Sequence, residues 1–182
     1  MTHLVLTPQP ITAQAFAPFG ELIQTQANPV LINEGTTERH HALSCVEVGE
    51  QGNAIINIFR AQPRTLPMAV TMMERHPLGS QAFLPTDDTP YLVLVCLGEQ
   101  QPEPDTLMLF MAQGVGINYR AGCWHHPLLA LNKVCDFWVV DRQGPGNNLE
   151  EVWFDTALSI ELSDPRLMDG AVTEHMSERD EL

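Results

Sequence analysis

The sequence predicts an all-β protein, a sandwich or barrel of short strands, and three observations carry that prediction. About ten runs of alternating or β-rich residues are spread along the 182 positions. The spacers between them are rich in Gly, Pro, Asn and Asp, the residues that close tight turns. No strand–helix–strand rhythm interrupts the series, and neither a Gly-x-Gly-x-x-Gly nor a phosphate-loop pattern is present, so a doubly wound nucleotide-binding fold has no support.

In chain order, Thr12 is placed to cap a short helix over 13–17. Strands are expected at 19–25, 43–49, 54–60 and 67–76, where apolar residues alternate with polar ones or β-formers cluster. Further strands are expected at 81–84, 90–97, 106–112, 115–119, 127–131 and 134–142. Turns fall at 50–53, 85–88, 98–105 and 143–148. A second short helix is expected over 156–162. Beyond it apolar periodicity fades and charge rises, so one domain over 1–162 is followed by an acidic, poorly ordered tail over 163–182.

The formal charge of -14 is uneven. Residues 147–182 hold ten acids against two arginines, and residues 1–146 hold thirteen acids against seven bases. Such a surface repels nucleic acid and anionic lipid, while arginines inside a pocket can still receive a small anion. No apolar run reaches the roughly 18 residues of a membrane helix, and the N-terminal residues lack a basic stretch before an apolar one. Four cysteines without a Cys-x-x-Cys pair read as reduced, mostly buried thiols, and the expected location is the cytoplasm. The single lysine, Lys133, stands in a turn-like Leu-Asn-Lys and makes Schiff-base chemistry a poor prospect.

Two segments carry the chemistry. The first is Glu74-Arg75-His76-Pro77-Leu78-Gly79-Ser80-Gln81, and the second runs from Gly114 to Pro127 and contains Trp124-His125-His126-Pro127. On an extended strand Glu74 and His76 share a face, with Arg75 out of phase, and a turn at 77–80 returns Gln81 beside them. An acid, an imidazole and an amide thereby converge. His125 and His126 are adjacent, so only one faces inward, and a bulge would decide which. Each histidine also has a structural reading, as a donor to a backbone carbonyl.

These spacings resemble those of the cupins, whose first motif is His-x-His followed by Glu and whose second is Gly-x5-Pro-x-Gly-x2-His. The chain offers Glu74-x-His76-x4-Gln81 and Gly114-x5-Arg120-x-Gly122-x2-His125. Glu74 stands in place of the first His, Gln81 in place of Glu, and Arg120 in place of Pro. The implied fold is a cupin-like double-stranded β-helix, or jelly-roll barrel, with one or two short helices.

A second resemblance covers residues 4–155. The stretches 59–63, 73–85, 114–128 and 136–142 are similar to the ureidoglycolate lyase family, formerly described as hydrolases. That resemblance implies a homodimer that cleaves (S)-ureidoglycolate to glyoxylate and urea in allantoin and purine breakdown, with a divalent metal, nickel in particular. It implies no organic cofactor and a small-molecule substrate as partner. The competing expectations are another metal-dependent cupin enzyme and a non-enzymatic cupin-fold sensor of small anions, although no helix-turn-helix pattern accompanies the chain.

The residues suit the elimination. A base must take the hydroxyl proton of the carbinolamide while an acid protonates the departing nitrogen, and histidine does both near neutral pH. His76 and His125 are the expected pair, with Glu74 orienting one of them. Glu74, His76, Gln81 and His125 form the alternative metal set. The substrate carboxylate calls for an arginine fork, with Arg39, Arg60, Arg120 and Arg142 as candidates, Asn33 and Asn118 could bond the ureido group, and Gln81 is a further substrate-binding candidate.

Overall fold

The computed structural model describes residues 2–155 and 158–163. Its body is two sheets in a cupin-like, all-β arrangement. One has five strands, in the order β3 (Gly20–Ile23), β12 (Gly116–Tyr119), β9 (Gln81–Pro85), β15 (Cys135–Gln143) and β6 (Asn53–Ala61). The other runs β16 (Glu150–Trp153), β8 (Met72–Arg75), β13 (Trp124–His125), β10 (Tyr91–Cys96), β11 (Met108–Ala112) and β2 (Gln9–Pro10), with β14 (Leu129–Ala130) also on β10. A small sheet joins β1 (Thr2–Leu6), β17 (Leu158–Leu162) and β7 (Met68–Val70), and β4 (Val30–Ile32) pairs with β5 (Thr37–Arg39). Among the described residues no helix is long and apolar enough to cross a membrane.

The strand β10 explains the layering. Its Tyr-Leu-Val-Leu-Val-Cys is apolar throughout, and all six residues are buried. Tyr91, Val93 and Val95 enter the core between the two large sheets, with Phe83, Phe110 and Phe137. Leu92, Leu94 and Cys96 enter a second core with Trp124, Leu109, Val70 and Leu162, beneath the small sheet. A strand covered on both faces has no polar face to alternate with. The expected helix near the N-terminus forms over Ala13–Phe16, where the Thr12 hydroxyl accepts the Ala15 N–H at 3.1 Å.

Two expected elements take other forms. Residues 43–49 alternate like a strand yet form none. Their polar groups are met singly: Ser44 and the Cys45 carbonyl by the Asn118 amide, and Glu47 by Ser80, whose hydroxyl and N–H hold its N–H and carbonyl. Ala42 and Gly49 at positive φ bracket the segment and break any ladder. The expected helix at 156–162 is instead β17 over Leu158–Leu162, drawn into a parallel ladder with β1 and an antiparallel one with β7. Tertiary pairing overrides local helix preference there. Of the tail expected over 163–182, all but Ser163 lies outside the described residues.

Candidate active site

Glu74 and His125 are opposed across the antiparallel pair β8–β13. Residues directly opposite in register project from the same face, and Glu74 Oε1 lies 3.5 Å from His125 Nε2. Trp124 alternates to the other side, buried in the second core with the Arg75 guanidinium 4.6 Å from its ring centre. Arg75 also pairs with Glu150 at 2.6 Å, so it braces the back of the site. His76 follows just past β8, and its ring centre is 5.4 Å from that of His125. The turn beyond it needs a glycine, since a Cβ on Gly79 would lie 2.7 Å from Arg142 Cβ. That turn delivers Gln81 into β9.

The tautomers of both imidazoles are fixed by the backbone. A carbonyl only accepts, so His76 Nδ1 donates to Asn148 O at 2.7 Å and His125 Nδ1 donates to Cys123 O at 2.9 Å. Each Nε2 is thereby left as a lone pair in the neutral ring, buried and without a hydrogen-bond donor among the described residues. Ligand atoms of Glu74, His76 and His125 lie within 4.8 Å of one another. Three acceptors converging at that range call for a proton or a cation between them. Burial pushes the Glu74 carboxyl up, but the neighbouring His125, with His76 and His126 beyond it, outweighs burial and leaves it lowered.

Tyr119, from the opposite sheet, stacks on His125 with centroids 4.1 Å apart and planes at 13°. Burial raises its phenol well above the ordinary value, so the ring packs as a neutral wall. His126 is buried beyond the end of β13 with Nδ1 donating to Pro127 O at 2.8 Å, and burial lowers its pKa. Between the two adjacent histidines, the structure sets His125 against Glu74.

Glu74 and His76 open into a cavity of about 760 Å³, and His125 sits directly behind them. Gln81, Asp141, Arg60 and Arg64 also line it, with Phe59, Phe83, Leu128 and Leu149 as apolar wall. Gln81 Nε2 donates to Asp141 Oδ2 at 3.3 Å. Arg60 contributes to the lining, but its guanidinium is held in a fork by Asp136, both bonds 2.8 Å. The other expected residues lie apart from this lining. Arg142 is buried and donates to Val48 O and Pro145 O. Asn118 is bonded to Ser44 and the Cys45 carbonyl. Arg39, at the end of β5, meets His41, Arg120 donates to Ala17 O, and Asn33 bonds Thr37.

Two cavity residues escaped the reading of the sequence. Asp141 was legible: Cys135, Phe137 and Val139 set the inward phase of β15, and Asp141 continues it. Arg64 stands in an irregular segment, with its N–H on Ala130 O, where periodicity carries no signal.

Comparison with known proteins gives the family. The family model described as ureidoglycolate lyase matches residues 3–161. A ureidoglycolate lyase of Rhizobium etli (strain CIAT 652) is 54% identical over 155 residues, covering 84% of this chain and 93% of that protein. Ureidoglycolate lyase 1 of Rhizobium meliloti (strain 1021) is 52% identical over 163 residues, 88% of this chain and 95% of that protein. A ureidoglycolate lyase of Agrobacterium fabrum (strain C58 / ATCC 33970) is 50% identical over 155 residues, 84% of this chain and 93% of that protein. With a match across nearly all of the described fold and half the residues identical, the chain belongs to the ureidoglycolate lyase family.

Proposed function

We propose that the chain cleaves (S)-ureidoglycolate to glyoxylate and urea, in the breakdown of allantoin. The observation that carries this reading is the convergence of two Nε2 lone pairs, from His76 and His125, on the Glu74 carboxylate at the edge of a cavity. The substrate is a two-carbon acid bearing hydroxyl and ureido groups on one carbon. His76, which lines the cavity, takes the hydroxyl proton on Nε2 as the C=O bond forms. A proton held between Glu74 Oε1 and His125 Nε2 is the acid: the C–N electrons leave with the ureido nitrogen, which takes that proton. One proton is taken and one given, so the site's total is restored once a proton passes between His76 and that pair.

In place of that proton transfer, the same three side chains suit a borderline divalent ion, nickel being the one the family resemblance implies. Two imidazoles with tautomers fixed by backbone carbonyls, beside one carboxylate, are a good donor set for such an ion. Bound there, it would supply Lewis acidity toward the substrate oxygens. The substrate carboxylate falls to the arginine side of the cavity. Arg64 suits it better than Arg60, because Arg60 is already held by Asp136 and no carboxylate holds Arg64 among the described residues.

A cytoplasmic homodimer is part of the same proposal. Strand β6 is nine residues long and forms an edge of its sheet. Beside it the outer sheet face leaves Ile56 71%, Ile58 58% and Trp138 49% exposed. A second copy covering that face would remove both an open edge and an apolar patch.

The test is to incubate the purified protein with (S)-ureidoglycolate and follow products, before and after chelation and again with added nickel. Equimolar glyoxylate and urea support the lyase. Release of ammonia would replace it with an amidohydrolase reading.

A further inference from the structure

The cavity contains an acceptor pair that the elimination itself does not use. Gln81 lines the cavity and is buried, only 5% exposed, and its Oε1 has no hydrogen-bond donor among the described residues. Its Nε2 donates to Asp141 Oδ2, while Asp141 Oδ1 accepts the Arg142 N–H at 2.8 Å. The register brings them together: β15 pairs Val140 with Ala82, so the next step along both strands sets Asp141 opposite Gln81. Gln81 and Asp141 therefore line the same space as Glu74 and His76. Buried acceptors normally have donors, and no donor side chain answers Gln81 Oε1 among the described residues.

We propose that Gln81 and Asp141 form the subsite for the ureido end of the substrate, an inference that rests on the lyase reading. A monosubstituted urea presents two parallel N–H groups, one on each nitrogen, in a fork like the edge of a guanidinium. That fork matches acceptors held side by side, and a carboxylate takes it most strongly. Gln81 acts in two ways: Nε2 steadies Asp141, and Oε1 accepts from the terminal NH₂. The subsite selects a carbamoyl group over an acyl group, since an N-acyl analogue offers a single N–H and leaves an acceptor unmet.

Calorimetric titration tests this with three probes: N-carbamoylglycine, which has the ureido group and carboxylate but no hydroxyl to eliminate; N-acetylglycine, which lacks the second nitrogen; and glyoxylate, which lacks the ureido group. The wild type is expected to bind N-carbamoylglycine about tenfold tighter than N-acetylglycine. Asp141→Asn, which keeps the acceptor for the Arg142 N–H, and Gln81→Ala should each erase most of that preference and leave glyoxylate binding unchanged. Equal wild-type affinities for the two glycine derivatives, or an undiminished preference in Asp141→Asn, would overturn the subsite. So would loss of glyoxylate binding in both variants, which would mark a structural role. Turnover of (S)-ureidoglycolate by the same wild-type sample reports on the lyase reading separately, because the binding preference is measured without turnover.

Discussion

Tyr119 and His125 lie face to face with ring centres 4.1 Å apart, and this stack ties the five-stranded sheet to the sheet that carries Glu74. The contact holds the imidazole plane, while the Cys123 carbonyl fixes its Nδ1. Tyr119 also packs on Phe16 and Phe83, so its ring belongs to the main core. Tyr119→Ala is expected to lower unfolding free energy by about 3–5 kcal/mol, the usual cost of deleting a buried aromatic ring. Tyr119→Phe keeps the stack and should cost less than about 1 kcal/mol. Urea denaturation of the two variants checks this pair of values.

Metal binding should depend on three side chains. Nickel titrated into chelator-treated protein is expected to bind at one ion per chain. Glu74→Ala, His76→Ala and His125→Ala should each weaken it by at least about tenfold. Gln81→Ala should stay close to wild type, since Gln81 is engaged with Asp141. Affinity should fall as pH drops, because a proton competes for each imidazole lone pair.

Thiol accessibility follows from burial. Cys45 is exposed, whereas Cys96, Cys123 and Cys135 are buried. Burial pushes the Cys96 thiol up to about 12 and raises Cys123 as well. A thiolate-selective reagent such as dithionitrobenzoate should react quickly with one thiol per native chain and with four after denaturation. Rapid reaction of more than one in the native protein would contradict this burial.

The apolar sheet face predicts association. Ile58→Asp combined with Trp138→Asp changes side chains that lie opposite each other in the β6–β15 register. Light scattering should show a shift from two chains toward one, with the circular dichroism spectrum retained. An unchanged mass would move the interface elsewhere.

The two halves of the site differed in how much the sequence revealed. Period-two alternation was enough to place Glu74 and His76 on one face, and the 77–80 turn returned Gln81 to the cavity that they line. The approach of His125 was visible through family spacing, yet its facing rather than that of His126 depended on the β8–β13 register, a long-range pairing. Arginine roles were the least legible. Six of the protein's arginines lie among the described residues, and a guanidinium's partner is set by which loop passes over it. Arg142 spends its donors on carbonyls of the segments around 48 and 145, and Arg60 on Asp136, neither of which alternation can foresee. Strand 43–49 misled for a related reason, since its pattern is that of a strand and its partners are side chains.

The most direct test of the central claim is the turnover of (S)-ureidoglycolate by His125→Ala beside the wild type, with the fold checked by circular dichroism. The account predicts equimolar glyoxylate and urea from the wild type and essentially none from a folded variant. Wild-type rates in that variant would contradict a centre built on Glu74, His76 and His125.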